Sequence, residues 1–311
     1  MKSLQSIADY SDKHPASVTI GSFDGVHLGH QKVLEQLKKN SAAHQTKSVV
    51  ICFDPHPRIF FDANTDLRLL NTNKEKIELL EKQQIDYFIL EKFTKDFADQ
   101  EPEIFIRALI KHLNMKYLLI GYDHQFGRNR NGNFEHIKAL EQRLGFKTIK
   151  IDALKEKDLA LSSTKIRQTL QNGDIEHANK YLGYCYFISG KVVQGNMIGR
   201  KLSFPTANID ISNKYKLIPK NGVYIVRATI NRKNVYGMMN IGYRPTIDGK
   251  KLISEVHFFD FDQDIYEQEI DICFLHRMRD EQKFNSLDAL KKQLQADKKN
   301  ALEWLDINRL K

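Results

Sequence analysis

The chain has 311 residues, 41% of them hydrophobic and 28% charged, a composition that sets wholesale disorder aside and, at roughly 100 to 200 residues per domain, predicts two domains. Lys and Arg number 48 against 39 Asp and Glu, a net +9. These basic residues are scattered, without the long block or aromatic interleaving of single-strand binders, so small anionic substrates are expected and nucleic acid is not. No apolar run approaches the roughly 20 residues of a membrane helix. The opening MKSLQSIADYSDKH lacks the basic cap and apolar stretch of an export signal, and Cys52, Cys185 and Cys273 are odd in number and widely spaced. A reduced, cytoplasmic protein without a membrane partner is expected.

In chain order, short apolar runs first alternate with stretches of helical period, the pattern of a parallel sheet covered by helices. Strands are predicted at 17–23, 48–53, 87–90, 117–120 and 147–151, and helices at 28–39, 74–82, 102–113 and 134–144. Pro102 suits a first helical turn and Gly145 a helical stop. Two short helices, 163–170 and 175–181, end at Asn172-Gly173 and Gly183. The texture then changes: β-rich segments at 187–193, 206–211, 223–230, 235–241, 253–259 and 270–275 follow without intervening helices, which argues for a small antiparallel barrel. Residues 231–234 read as a hairpin loop, and a closing helix at 286–305 carries leucines with a period near 3.6. The domain boundary is placed at 183–186, giving domains 1–183 and 184–311 with net charges of +3 (27 basic, 24 acidic) and +6 (21 basic, 15 acidic).

In the first domain the strongest signal is Gly21-Ser22-Phe23-Asp24-Gly25-Val26-His27-Leu28-Gly29-His30, a strand turning through glycines directly into a helix. Gly25 permits the turn, and Gly29 leaves the helix backbone open to a ligand. Unpaired amides and the helix dipole at that start favour an anion. His27 and His30, three apart, share one helical face beside it, where either can donate to a phosphate oxygen as charge develops. Zinc is the competing use of two such histidines, but neither an HExxH pattern nor a nearby thiol accompanies them. Ser162-Ser163-Thr164-Lys165-Ile166-Arg167 offers hydroxyls before a helix and a cation within it; it is a second phosphate candidate, or a plain helix cap. In the second domain, Thr206 and Asn208 lie two apart on a strand, so they offer two neutral oxygens to one point. That suits magnesium, which takes few hard protein ligands and completes its shell with phosphate and water, while in isolation the segment also reads as a polar turn in a strand pair.

Together these segments carry a resemblance. The G-x-F-D-G-x-H-x-G-H run is joined by Phe53-Asp54-Pro55-His56-Pro57, by Gly121-Tyr122-Asp123-His124-Gln125-Phe126-Gly127 and by Ser162-Ser163-Thr164-x-x-Arg167. The set resembles the adenylyltransferase domain of bacterial bifunctional riboflavin kinase/FAD synthetases, in the nucleotidylyltransferase superfamily. Likewise, Pro205-Thr206-Ala207-Asn208, Asn221-Gly222-Val223-Tyr224, Asn240-Ile241-Gly242-x-x-Pro245-Thr246 and Glu255-Val256-His257 resemble the riboflavin kinase domain, a six-stranded antiparallel barrel. Two positions depart from the pattern: His124 stands where many relatives carry an aromatic residue, and Ser203 where glycine is usual.

The resemblance implies an α/β nucleotidylyltransferase domain followed by an all-β six-stranded barrel with a C-terminal helix. It implies His27 and His30 as catalytic contacts to ATP phosphates, and Gly21, Phe23, Asp24, Gly25, Asp123, Ser163, Thr164 and Arg167 as the nucleotide site. Phe53, Asp54, Pro55, His56 and Pro57 would form the flavin site, Thr206 and Asn208 would hold Mg2+, and Glu255 would be the kinase base. The implied substrates and products are riboflavin, FMN, ATP and FAD. Two other classes stay open: an enzyme with one active half whose other half binds flavin or nucleotide, and a basic RNA-binding protein without catalysis.

Overall fold

The computed structural model describes residues 1–62, 64–121, 134–151, 155–156, 159–194, 202, 204–246 and 249–308. The chain divides into two compact units between Ser163 and Thr164.

In the first unit, β1 (Lys2–Leu4), β2 (Ala16–Ile20), β3 (Lys47–Asp54), β4 (Tyr87–Lys92), β5 (Met115–Gly121) and β6 (Lys147–Ile151) make one parallel sheet in the order β1-β4-β3-β2-β5-β6. Crossovers run through α1 (Leu28–His44), α2 (Pro57–Phe61), α3 (Asn73–Lys82), α4 (Lys95–Ala98), α5 (Pro102–Leu113) and α6 (Phe134–Leu144). A sheet covered on both faces needs apolar residues at consecutive positions rather than alternate ones, and every residue of β2 is buried. One face packs Val18, Ile20, Val49, Ile89 and Leu118 against Ile106 and Leu109 of α5 and Ile137 of α6. A short antiparallel pair, β7 (Lys155–Glu156) and β8 (Leu159–Ala160), follows the sheet.

Local stops explain most boundary differences. The predicted strand at 17–23 ends at Ile20 because the chain turns at once: Phe23 and Val26 have φ of 44° and 34°. α1 runs past 39 to His44, where Gln45 takes the left-handed conformation at φ 54°. Gly145 stops α6 at φ 72°, as predicted. Strand β1 was not predicted, because three residues at a sheet edge carry no readable period.

The second unit opens within the first turn of α7 (Ser163–Asn172), at Thr164, and continues with α8 (Ile175–Leu182). Then β9 (Phe187–Val193), β10 (Ala207–Asp210), β11 (Gly222–Ile230), β12 (Lys233–Thr246), β13 (Gly249–Phe258) and β14 (Glu269–Arg279) close an antiparallel barrel in the order β10-β13-β12-β11-β14-β9. The loop expected at 231–234 is tighter than predicted. Ile230 pairs with Lys233, and the two turn residues Asn231 and Arg232 both have positive φ, 49° and 64°, the geometry that matches strand twist in two-residue hairpins. Barrel residues alternate: Tyr224, Val226, Met239, Val256 and Phe274 are fully buried, while Val223, Ile225 and Met238 on the other face pack with Ala301 and Leu305 of α9 (Leu287–Asn308).

The compact units part well before the change in texture at 183, because the α7–α8 pair packs within the second unit. Asn179 of α8 donates to the Phe274 carbonyl at 2.9 Å and accepts from the Tyr186 amide at 2.6 Å, Lys220 N–H donates to the Leu170 carbonyl at 3.1 Å, and Glu176 meets His276. Ile166, Leu170, Ile175 and Leu182 are all fully buried. At roughly 1.5–3 kcal/mol each, their loss is comparable with the ~5–15 kcal/mol that stabilises a whole domain. A fragment starting at Thr164 should therefore melt cooperatively, whereas one starting at Tyr186 should show no native transition by calorimetry. Equal melting of the two fragments would show that α7 and α8 contribute nothing to the barrel.

Candidate functional site

In the first unit the chain leaves β2 for β3 on one flank and later returns to β5 on the other. The carboxyl end of β2 is thus the point where strand order reverses, the place where open parallel sheets form a ligand crevice. The residues that occupy this point are 21–30.

Their geometry is specific. Phe23, Gly25 and Val26 all have positive φ, at 44°, 89° and 34°, so two non-glycine residues sit in a sparsely populated region of the kind concentrated at functional sites. A Cβ on Gly21 would meet the Phe23 ring at 3.1 Å. Asp24 is buried, and its Oδ1 accepts the backbone amides of Leu70 and Asn71 at 2.9 and 3.2 Å; its carbonyl accepts the Ser163 hydroxyl at 2.8 Å. Asp24 therefore ties the turn to the segment before α3 and to Ser163, the last residue of the first unit.

His27 caps α1. Its Nδ1 accepts the His30 amide at 3.3 Å, so in the neutral ring the proton is on Nε2, leaving that atom as the donor. The His27 and His30 rings stack at 3.7 Å with 16° between planes, and Phe23 packs on His30 at 5.0 Å. A Cβ on Gly29 would meet the His27 imidazole at 3.1 Å, so the glycine leaves room for the stack. Burial, then the neighbouring His27 and Lys76, hold His30 well below the ordinary histidine range, so it is a neutral imidazole. Its Nδ1 is buried with no hydrogen-bond partner. Among the described residues no group of three or more His, Cys, Asp or Glu is placed to hold a metal ion, and stacked rings are a poor start for a zinc site.

The other expected residues of this unit lie close by in the sheet or outside the described residues. Phe53 is the penultimate residue of β3, the strand beside β2, and packs against Phe93, Phe97 and Phe105 at 5.6, 4.9 and 6.2 Å. Asp54 is exposed, accepts from Asn73 Nδ2 at 3.0 Å and precedes Pro55 across a cis peptide. His56 caps α2 by accepting the Arg58 amide at 3.2 Å, with Pro57 at the first helical position. Sequence reasoning missed Phe61 at the end of α2: it is 70% exposed yet packs edge-on against Phe60 and Phe93 at 5.6 and 5.8 Å. Asp123 and His124 lie outside the described residues, as do Ser203 and 195–201. On α7, Thr164 is exposed and Arg167 half-buried.

In the second unit, strand register brings the expected residues together. Asn208 on β10 is directly opposite Glu255 on β13, and Glu255 is directly opposite Asn240 on β12. Opposed residues put their side chains on one face, so Asn208, Glu255 and Asn240 form a row across three strands. That face is the one packed by α9, since Val223 pairs with Asn240 and belongs to the cluster with Ala301 and Leu305. Local patterns did not reveal Asn240 as a neighbour of Glu255. Beside the row, His257 binds the Pro205 carbonyl at 2.8 Å and packs on Phe204 at 5.0 Å, which fixes the strand entry carrying Thr206. Burial, more than any charge, lowers the His257 pKa.

Both units have relatives. Residues 9–165 match the FAD synthetase family and residues 182–305 the riboflavin kinase family. The bifunctional riboflavin kinase/FMN adenylyltransferase of Haemophilus influenzae is 40% identical over 92% of each chain. This chain belongs to the bifunctional riboflavin kinase/FMN adenylyltransferase family. Other members of that family are similar along nearly the full length: that of Bacillus subtilis at 36% identity over 92% of each chain, and that of Escherichia coli K12 at 34% over 94% of this chain and 93% of its own. A solved structure from Streptococcus pneumoniae, described as a macrolide-efflux protein, shares the fold with a TM-score of 0.87 at 30% identity, covering 97% of this chain and 99% of that one. Among the described residues, no helix is long and apolar enough to cross a membrane.

Proposed function

We propose that this chain makes FAD from riboflavin in two steps. The barrel unit transfers the γ-phosphoryl group of ATP to riboflavin, giving FMN and ADP. The parallel-sheet unit transfers the adenylyl group of a second ATP to FMN, giving FAD and pyrophosphate. The observation that carries the reading is the coincidence, in one chain, of the neutral His27/His30 stack at the strand-order reversal with the Asn208–Glu255–Asn240 row on the barrel. Each coincides with the matching family region.

For the first step, riboflavin's 5′-hydroxyl is a weak nucleophile and gains from a base. Glu255 takes the hydroxyl proton as the oxygen bonds to the γ-phosphorus and the bond to the ADP oxygen breaks. Asn240 stands directly opposite it on β12. Thr206 and Asn208 fit a divalent cation in a particular way: two neutral oxygens make a weak site alone and an adequate one once phosphate is present. Bound there, Mg2+ would offset the negative charge of the phosphates. Addition of excess chelator should abolish FMN formation, and calorimetry should detect no tight Mg2+ binding in the absence of ATP. Undiminished FMN formation in chelator would contradict the assignment.

For the second step, the FMN phosphate is already an anion, so no strong base is needed. Its oxygen bonds to the α-phosphorus as the α–β bridge breaks and pyrophosphate leaves. His27, donating through Nε2, and neutral His30 stabilise the charge that builds on phosphate oxygens. Ser163, whose hydroxyl donates to the Asp24 carbonyl at 2.8 Å, lies where the departing pyrophosphate would leave, Asp24 holds the turn in shape, and the 53–57 segment receives the flavin. Functionally, then, residues 1–183 serve adenylyl transfer and 184–311 phosphorylation, although the helices 164–182 pack with the barrel unit. The test is to incubate purified protein with riboflavin, ATP and Mg2+ and to separate the flavins by chromatography. FMN followed by FAD is expected; unchanged riboflavin overturns the reading.

A further inference from the structure

Glu281 follows β14, in the segment that leads to α9. Its carboxylate does not point away from the barrel: it lies on Gly242 of β12, in the space that a Cβ at 242 would fill. Gly242 is not among the residues of positive φ, so its backbone does not itself call for glycine. What the glycine provides is room for that carboxylate.

Strand register shows where this puts the charge. Side chains alternate along β12, and Met239 and Ile241 are fully buried on the inner face, so position 242 faces the same way as Asn240. Asn240 is directly opposite Glu255, which makes 242 the diagonal neighbour of Glu255 on that face, roughly 7–8 Å away. A second carboxylate therefore stands on the phosphoryl-transfer face, one diagonal step from the base. Asn208, Glu255 and Asn240 are each half-buried there. Glu281 is exposed and, among the described residues, has no hydrogen bond or ion pair, so its oxygens are available to a substrate.

Riboflavin has groups that match. Behind the reacting 5′ oxygen, its ribityl chain carries secondary hydroxyls that are donors and take no part in the transfer. An ionised carboxylate only accepts hydrogen bonds, and bonds to it are stronger than those between neutral groups. We propose that Glu281 is a substrate-binding residue of the phosphoryl-transfer site, its carboxylate accepting hydrogen bonds from the secondary hydroxyls of the ribityl chain and so holding the 5′-hydroxyl at Glu255. The proposal rests on the assignment of riboflavin phosphorylation to the barrel unit. It makes Glu281 a specificity residue, one that selects a polyol chain over an alkyl chain.

The test compares riboflavin with its hydroxypentyl analogue, which keeps the terminal hydroxyl and lacks the secondary ones. With riboflavin, Glu281→Ala in the full chain should raise KM roughly tenfold or more, about the worth of one hydrogen bond to a charged group, and leave kcat nearly unchanged. With the analogue, KM should be the same for Glu281→Ala and the unmodified chain. Gly242→Ala puts a methyl group where the carboxylate lies and should reproduce both results; it decides the question should Glu281→Ala fail to fold. FAD formation from supplied FMN should be unaffected in either variant. An unchanged KM for riboflavin, or an equal rise for both substrates, would overturn the inference and leave the proposed function intact. An unmodified chain that makes no FMN from riboflavin would instead overturn the function itself.

Discussion

Replacing Glu255 by Gln should lower FMN formation from riboflavin by roughly 10²- to 10⁴-fold, the usual cost of losing a general base, while FAD formation from supplied FMN continues. The substitution keeps size and hydrogen-bonding capacity, so the register that opposes position 255 to Asn208 and Asn240 is retained. What disappears is the carboxylate that accepts the hydroxyl proton. Ground-state contacts remain, so the loss belongs in kcat, with the KM for riboflavin changed little. If both activities vanished with the fold intact, Glu255 would not be a base belonging to the barrel reaction.

His30→Ala should give the reciprocal result: FMN is made and accumulates, and FAD formation falls by two or more orders of magnitude, on the order seen when one preorganised donor is lost. Two consequences follow from its position. The His27 ring loses its stacking partner at 3.7 Å, and Phe23 loses the ring it packs on. The amide that His27 Nδ1 accepts is backbone and survives, so the cap of α1 is kept. A folded His30→Ala chain with full FAD synthesis would place the chemistry elsewhere.

Much of this arrangement was legible in the sequence because it is local. Pro102, Gly145 and the apolar runs mark helices and strands within a few residues of where they occur, and the 21–30 segment announces a strand-to-helix turn by its own glycines. What was not legible depends on partners distant in the chain. Nothing in the neighbours of Asp24 shows that its carboxylate holds Leu70 and Asn71. Asn240 stands with Glu255 and Asn208 only because three strands align them. The packing of α8 with the barrel rests on Asn179 reaching Phe274, a contact that follows from no composition shift.

If each unit carries one reaction, two variants impaired in opposite halves should complement each other in a mixture. Glu255→Gln protein alone should leave riboflavin unconverted, and His30→Ala protein alone should stop at FMN. Combined in one vessel with riboflavin, ATP and Mg2+, they should produce FAD, the His30→Ala chain supplying FMN to the intact adenylyl-transfer site of the other. A mixture that accumulates FMN and makes no more FAD than either variant alone would contradict the account.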